Sequence, residues 1–396
     1  MPLQLVMWEE HVHKPTTTIA GSARLGEQVD AVIGVDTHTD TLSACLVNPV
    51  GAVLAEITEP ANPVGYRRLL TWSTKEQAKH GCPRLVWAVE GTRSHGAGVT
   101  RALRTAGQLV LEATRPPRAA RRPGGKSDPK DAVHAARAAL ANTHHAEPRA
   151  DGPREALRML LGVRSAALTA RTDAINELKA LIMQAPDELR GRLRGLTSSA
   201  QIAACRRLRV PATPDPVAVR HDPQVVLVDA ETRARLACMR RLARRIGDLT
   251  IEIDDAADEI HTLVHALDPG LLAEVGVGPI TAAQILISWS HAGRLRSEAA
   301  FAALAGVSPL DASSGAQQRH RLNRHGDRAL NSALHTIAVT RERCDPRTKT
   351  YIQRRVSEGK SRREARRMLK RYLARHIYRH LERAASVPTD GALLAA

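Results

Sequence analysis

The chain has 396 residues, a formal net charge of +17 and a pI of about 10.5. Its length points to two or three domains, and its 43% hydrophobic content excludes a chain that is disordered overall. Aromatic residues make up only 2%, which argues against binding of single strands by stacking bases on aromatic platforms. The positive charge indicates a polyanionic partner, most often nucleic acid.

Five scattered cysteines form no CxxC pair, so the sequence predicts neither a zinc site nor a disulfide framework. Reduced thiols fit a cytoplasmic protein. No apolar run is long enough to span a bilayer, and we expect no signal peptide and no membrane partner. Residues 1–28 show no convincing hydrophobic periodicity and are expected to be a disordered leader.

Residues 29–145 have the pattern of a mixed α/β sheet. Apolar, β-rich runs predict strands at 29–35, 41–47, 52–57, 84–90 and 108–113. Helical patterns follow at 63–80, 96–106 and 128–140. A Pro/Gly turn at 48–51 predicts that the second and third strands form an antiparallel hairpin.

Residues 150–267 are expected to be helical. Two long Ala/Leu/Arg-rich stretches, 153–185 and 228–267, flank a proline-rich segment, and together they predict an antiparallel, coiled-coil-like arm. A plain helical bundle is an equally good interpretation of this pattern.

Residues 268–340 are predicted to form a small, mainly helical domain. Gly276 and Gly278 precede a helix that Pro279 opens, in the form of a helix-hairpin-helix turn. Glycines let backbone amides approach a phosphate, and a helix amino terminus favours an anion. Such a turn alone is a weak signal, since an ordinary tight turn has the same pattern.

The carboxy-terminal segment, 341–396, is strongly basic. Residues 341–383 hold 16 Lys/Arg against 5 Asp/Glu, and a helix is expected in their second half. A clustered excess favours a nucleic-acid-binding surface over general compositional drift, although a solvated basic surface remains the alternative.

Four carboxylates occupy positions typical of a two-metal site. Asp36 and Glu90 each end a predicted strand, and Asp128 and Asp131 lie three residues apart on a predicted helix, so they share a face. Mg²⁺ prefers hard oxygen ligands, and two such ions can neutralise charge at a reacting phosphodiester. Each residue alone has a structural explanation as a turn or cap, but the ordered set favours metal-assisted phosphodiester chemistry.

Several blocks resemble the IS110/IS1111 family of transposases. "IGVDTHTDTLSACLVN", "VEGTRSHGAGVTRALRTAG" and "RPGGKSDPKDAVHAARAAL" are similar to its DEDD domain. "GVGPITAAQILISW" and "FAALAGVSPLDASSGAQQRHRLNRHGDRALNSALHTIAVTR" are similar to its second conserved domain, the IS116/IS110/IS902 transposase domain. The resemblance runs from about residue 32 to about residue 383.

The resemblance implies an RNase H-like (RuvC-like) fold for the first domain, with Asp36, Glu90, Asp128 and Asp131 as ligands of Mg²⁺ or Mn²⁺. It also implies a nucleophilic serine in the Ser-Gly motif, Ser314, with Ser313 the nearest competitor. The candidate nucleic-acid contacts are Lys126, Gly276, Gly278, Arg319, Arg321, Arg324 and Arg328.

The function implied is that of an insertion-sequence transposase or recombinase, which cleaves and exchanges DNA strands with the acidic metal site and the serine. The implied partners are donor and target DNA, a structured guide RNA encoded by the element, and further copies of the chain in a dimer or tetramer. A bacterial cytoplasm and association with the nucleoid are expected. The alternatives are a RuvC-like, structure-specific DNA nuclease and an inactive nucleic-acid-binding copy.

Overall fold

Contacts within the chain, in a computed structural model, form two compact units, residues 1–150 and 151–396. The structure describes residues 23–113, 128–143, 145–149, 151–212, 230–308, 310–311, 320–321 and 326–386. Only the backbone is described for residues 128, 129, 310, 311, 320 and 321.

A five-stranded mixed sheet forms the centre of the first unit. Its strands are β1 (Ala31–Thr37), β2 (Thr41–Val47), β3 (Val53–Pro60), β4 (Leu85–Val89) and β5 (Val110–Glu112). Their order is β3-β2-β1-β4-β5. The first three strands are antiparallel neighbours, as the hairpin prediction required, and β4 and β5 run parallel to β1. This α/β arrangement is consistent with an RNase H-like domain.

Helices cover both faces of this sheet. They are α1 (Leu25–Gln28), α2 (Pro63–His80), α3 (Ala97–Thr105) and α4 (Asp128–Ala141). Because side chains alternate along a strand, β1 and β4 contribute to two separate cores. One core lies under α2 and α3 and contains the fully buried Trp87, whose Nε1 donates to Gln108 Oε1 at 3.0 Å. The other lies under α1 and α4.

The expectation of a disordered leader that extends to residue 28 is wrong for its last four residues. Leu25–Gln28 form α1, and the Leu25 side chain is fully buried in the core beneath α4. One buried leucine fixes this helical turn, and four residues are too few to show a hydrophobic periodicity in the sequence. Residues 1–22 lie outside the described residues.

The second unit is built almost entirely of helices. They are α5 (Pro153–Met183), α6 (Asp187–Arg194), α7 (Ser198–Arg206), α8 (Ala230–Leu267), α9 (Pro269–Ala273), α10 (Pro279–Trp289), α11 (Glu298–Leu304), α12 (Arg328–Cys344), α13 (Pro346–Ser357) and α14 (Arg362–Ser386). Two short strands, β6 (Leu310–Asp311) and β7 (His320–Arg321), pair antiparallel.

The two longest helices, α5 and α8, pack along each other. The start of α5 (Leu157) contacts the end of α8 (Ile260, Val264), while the end of α5 (Leu178, Ile182) shares a core with the start of α8. They therefore run antiparallel. The short helices α6 and α7, which periodicity did not single out, add Leu193 and Cys205 to that second core.

The carboxy-terminal helices surround a core centred on α10, whose side chains are buried on nearly every face. Trp289 ends α10 within this core, and its Nε1 donates to Glu382 Oε1 of α14 at 2.7 Å. The helix expected in the second half of 341–383 is α14, and the first half is helical as well, because α12 ends at Cys344 and α13 follows at once. Asp345 caps α13 by accepting hydrogen bonds from Arg347 N and Thr348 N. Within the described residues, no helix combines the length and apolarity needed to cross a bilayer.

Candidate active site

Asp36 lies near the end of the central strand β1, opposite Ser43 of β2. The sequence placed Asp36 at the end of a predicted strand, and β1 continues one residue further, through Thr37. The carboxylate is therefore held by strands on both sides, and the residue is only 6% exposed. A charged group this deeply buried requires compensation from neighbours or from a bound cation.

The two oxygens of Asp36 have different environments. Oδ1 accepts a hydrogen bond from Thr37 N at 3.0 Å. Oδ2 is buried and accepts no hydrogen bond from a described residue, although His38 Nε2 lies 3.2 Å away. Burial raises the pKa of the Asp36 carboxyl; the positive charge of His38 opposes this rise, and the negative charges of Glu90 and Asp131 add to it.

Glu90 directly follows β4, the strand parallel to β1. Its backbone N donates to Val35 O at 2.9 Å, and its carbonyl accepts a hydrogen bond from Thr37 Oγ1 at 3.0 Å. These bonds continue the strand pairing one residue beyond β4 and set Glu90 beside Asp36. Both residues follow the alternation of the sheet face that α4 covers.

Gly34 is the reason that α4 reaches this edge of the sheet. A Cβ atom on Gly34 would lie 2.0 Å from Ala132 O and 2.7 Å from Ala136 N, so only glycine allows the helix backbone to pack here. The first turn of α4 then carries Asp131 close enough to Asp36 to raise the pKa of Asp36. Asp131 is exposed. Asp128 begins the same helix, and its side chain lies outside the described residues.

The loop after Glu90 is fastened to the next strand. Gly91 has a φ of +65°, and Ser94 N and Gly96 N both donate to its carbonyl, at 2.8 and 3.0 Å. Thr92 is buried, and its Oγ1 donates to Glu112 Oε1 of β5 at 3.4 Å. Sequence reasoning missed Thr37, His38 and Thr92, because their contacts with the acidic residues depend on strand register.

The donor set suits a hard divalent cation. Asp36, Glu90 and Asp131 could supply carboxylate oxygens to such an ion, and no described residue donates a hydrogen bond to the buried Asp36 Oδ2. A cation would offset the electrostatic repulsion among the three carboxylates. Among the described side chains, which exclude that of Asp128, no three His, Cys, Asp or Glu residues form a ready-made metal cluster.

The predicted helix-hairpin-helix turn lies between α9 and α10. Gly276 has a φ of +81°, and a Cβ there would lie 3.1 Å from Ile337 O and 3.0 Å from Arg341 Cγ. The space beside Gly276 is filled by α12, so close packing within the unit is one reason for a glycine here, and its contact with phosphate stays a prediction. No described atom lies within 4 Å of a Cβ on Gly278, which is the N-cap of α10.

The Ser-Gly motif falls between β6 and β7. Leu310 pairs with Arg321 and Asp311 with His320. Ser313, Ser314, Arg319 and Arg324 lie outside the described residues, as does Lys126, and Arg321 is described only as backbone. Arg328 is exposed at the first position of α12.

Polar contacts fix the helices that flank this segment. Asp327 caps α12 through Ala329 N and Leu330 N, and its second oxygen accepts from Ser288 Oγ at 2.7 Å. Asn331 donates to Ala305 O at 2.6 Å and accepts from the buried Lys370 Nζ at 2.8 Å. Burial and the charge of Arg367 lower the pKa of Lys370.

Several arginines of the basic segment form hydrogen bonds and ion pairs within the second unit. Glu342 is buried and accepts hydrogen bonds from Arg362 and Arg366, both at 2.5 Å. Arg341 donates to Val275 O and to Glu274. Arg343, Arg347 and Arg363 are exposed, and no ion pair within the described part of the chain involves them. The charge available to an outside partner is therefore smaller than the composition indicates.

Two family models match the chain. Residues 33–185 match a transposase family of the DEDD, IS110 type. Residues 271–353 match the transposase IS116/IS110/IS902 family. The first match covers Asp36, Glu90, Asp128 and Asp131, and the second covers the Ser-Gly motif. A search of the curated proteins found no match.

Proposed function

The chain belongs to the IS110 family of transposases, and we propose that it moves its insertion sequence with an acidic metal site and a serine nucleophile. Transposases of this family cleave DNA and transfer strands, so the chain is an enzyme that acts on DNA. The observation that carries the proposal is the juxtaposition of Asp36, Glu90 and Asp131 at one edge of the sheet.

We propose that these three carboxylates, with Asp128, hold Mg²⁺ or Mn²⁺. When bound, such ions stabilise negative charge on a reacting phosphodiester and favour deprotonation of the nucleophile. The residues of the chain position the site: Thr37 orients Asp36 and anchors Glu90 through its backbone amide and hydroxyl, and Gly34 admits α4. His38 adds a titratable group 3.2 Å from Asp36 Oδ2.

Ser314 is proposed as the nucleophile, with Ser313 as the competitor. Its Oγ would form a bond to a phosphorus of the DNA while a bond from that phosphorus to a sugar oxygen breaks. The serine proton leaves to a base or solvent, and the released sugar oxygen takes up a proton. The pairing of β6 with β7 on either side of residues 312–319 supports this proposal, because it holds both ends of the segment on the same unit.

We propose that 29–145 is the catalytic domain, 150–267 a helical arm, 268–340 the serine-bearing domain and 341–396 a basic helical segment. Donor and target DNA, a structured guide RNA and further copies of the chain are the proposed partners. The proposed phosphate contacts are Lys126, Gly276, Gly278, Arg319, Arg321, Arg324 and Arg328. The open space beside Gly278 at the start of α10 and the exposure of Arg328 support two of them.

The test uses the full-length chain with DNA carrying the element ends and RNA transcribed from the element. Denaturing gels should show a covalent protein–DNA adduct that needs a divalent cation. Ser314→Ala should abolish the adduct and Ser313→Ala should retain it, while Asp36→Asn should remove both adduct and recombinant product.

Other outcomes would replace the proposal. Cleavage that persists without any adduct in Ser314→Ala would indicate a RuvC-like nuclease that activates water. An adduct that moves to Ser313 would reassign the nucleophile. Nucleic-acid binding that is equal in parent and carboxylate variants, with no cleavage by either, would indicate an inactive binding copy.

A further inference from the structure

Helix α8 divides its charge into two equal and opposite halves. Residues 233–245 contain six arginines and no Asp or Glu, whereas residues 248–259 contain six Asp or Glu and no Lys or Arg. The first half therefore carries +6 and the second −6. In a chain of net charge +17, an acidic half-helix stands apart from the nucleic-acid-binding character of the whole.

The acidic residues of α8 and three of its six arginines are exposed. The buried side of α8 is formed by Met239, Ile246, Ile253 and similar residues, and all six acidic residues are exposed. They are Asp248, Glu252, Asp254, Asp255, Asp258 and Glu259. Within the described part of the chain, none of the six forms an ion pair, and neither do the exposed Arg241, Arg244 and Arg245.

The outer face also exposes apolar side chains. Ile251 is 62% exposed, and Met159 and Val163 of the neighbouring α5 are 54% and 51% exposed. They line a shallow groove of about 400 Å³ together with Asp248, Glu252, Asp255 and Glu259. Large apolar residues grouped beside unpaired charges are typical of an interface.

Spacing places the charges and Ile251 on one stripe. Positions 241, 244, 248, 251, 255 and 258 alternate steps of three and four residues, the spacing of a helix–helix seam. The stripe reads Arg-Arg-Asp-Ile-Asp-Asp. A parallel partner would set like charges against each other, whereas an antiparallel copy sets the basic half against the acidic half twice.

We propose that the chain self-associates through α8, packed antiparallel against α8 of a second copy about a twofold axis between Leu249 and Thr250. In this register Arg241 lies opposite Asp258 of the second copy, Arg244 lies opposite its Asp255, and the Ile251 side chains lie near the axis. A twofold interface must be self-complementary, and this charge pattern meets that requirement. Nucleic acid is a poorer occupant, because the acidic half of the face repels phosphates.

This inference specifies the surface for the proposed self-association and does not depend on the chemistry of the active site. Its test is sedimentation of the full-length chain without nucleic acid or divalent metal, so its failure would leave the catalytic proposal unaffected. The parent should self-associate more weakly as salt rises, because exposed ion pairs are screened.

Three charge-reversal variants make the test specific. Arg241→Glu/Arg244→Glu/Arg245→Glu makes the whole face acidic, and Asp255→Arg/Asp258→Arg/Glu259→Arg makes it basic. Each alone should raise the dissociation constant for self-association at least about tenfold. An equimolar mixture of the two should associate again, and so should a chain that carries all six reversals.

The matched control is Arg343→Glu/Arg347→Glu/Arg363→Glu, which makes the same change in charge at exposed positions away from α8 and should associate like the parent. Circular dichroism checks that each variant is folded. Unchanged association in both triple variants, or no recovery on mixing, would overturn the proposal. Loss of nucleic-acid binding by the Arg241 triple variant alone, with normal association, would assign the basic half to nucleic acid instead.

Discussion

Replacement of Gly34 by alanine tests whether the approach of α4 to β1 is what assembles the acidic site. The added Cβ would stand 2.0 Å from Ala132 O, and real contacts of this kind are not shorter than 3.0 Å. The helix must therefore withdraw by roughly 1 Å or the strand must bend. The new methyl group would meet backbone atoms of Ala132 and Ala136, and a change of side-chain rotamer cannot move these atoms away.

Two effects of different size follow. Overpacking of this kind costs about 1–3 kcal/mol of stability, and each kcal/mol lowers Tm by roughly 2–4 °C in a unit of this size. Displacement of Asp131 relative to Asp36 by about 1 Å is expected to lower the rate of strand cleavage on the order of a hundredfold. We expect the catalytic loss to persist at temperatures where the variant is fully folded.

The assay is metal-dependent strand cleavage per folded molecule, measured well below the Tm of the variant. Gly162→Ala in α5 is the matched control, because no described atom lies within 4 Å of its added Cβ. That change should leave cleavage unaffected and raise stability by about 0.5–1 kcal/mol, since it replaces glycine in a helix interior. Parental cleavage and Tm in Gly34→Ala would refute the argument.

Three further predictions concern charge. Because the pKa of Asp36 is raised, its neutral form stabilises the metal-free fold at low pH, and this contribution is lost as pH rises through the folded pKa. Asp36→Asn should therefore raise the Tm in EDTA at pH 7 but not at pH 3. A lower Tm at pH 7 would contradict this. Burial alone would raise the pKa of Glu342, but hydrogen bonds from Arg366 and Arg362 outweigh it and lower that pKa. Glu342→Gln should therefore lower the free energy of unfolding, measured in urea at pH 7, by about 1–3 kcal/mol, and this loss should shrink as pH falls through the lowered pKa. A loss that stays constant with pH would argue against the ion pairs. Nucleic-acid affinity should fall steeply between 50 and 200 mM salt, as expected for about six or more phosphate contacts, and a flat response would exclude the exposed arginines of 341–383 as a binding surface.

The sheet could be predicted from the sequence because its signals are local. Strands β1 to β4 have apolar or alternating patterns, and the turn at 48–51 sets the first hairpin. Helix α2 was predicted at its observed bounds, since Asn62 and Gly81 mark its two ends. The leader was misjudged because the position of α1 depends on one buried leucine, a contact that has no local signal.

The candidate acidic site was also only partly accessible from the sequence. The four carboxylates were proposed from their order along the chain, but the adjacency of Asp36 and Glu90 depends on the register between β1 and β4. Gly34 looked like an unremarkable strand residue, and its role emerges only when α4 is packed on it. Gly276 was singled out for phosphate contact, and its packing against α12 is a second role that the sequence did not indicate.

The two buried indoles described above give each unit its own fluorophore. Trp87 lies in the sheet core of the first unit and Trp289 in the helical core of the second, and each donates a hydrogen bond to a different acceptor. The chain has four tryptophans, and the other three, Trp8, Trp72 and Trp87, all lie within residues 1–150. Replacement of Trp289 by phenylalanine would therefore leave tryptophan emission from the first unit alone. The melting of the unit that carries the acidic residues could then be followed separately from that of the second unit, within a single intact chain.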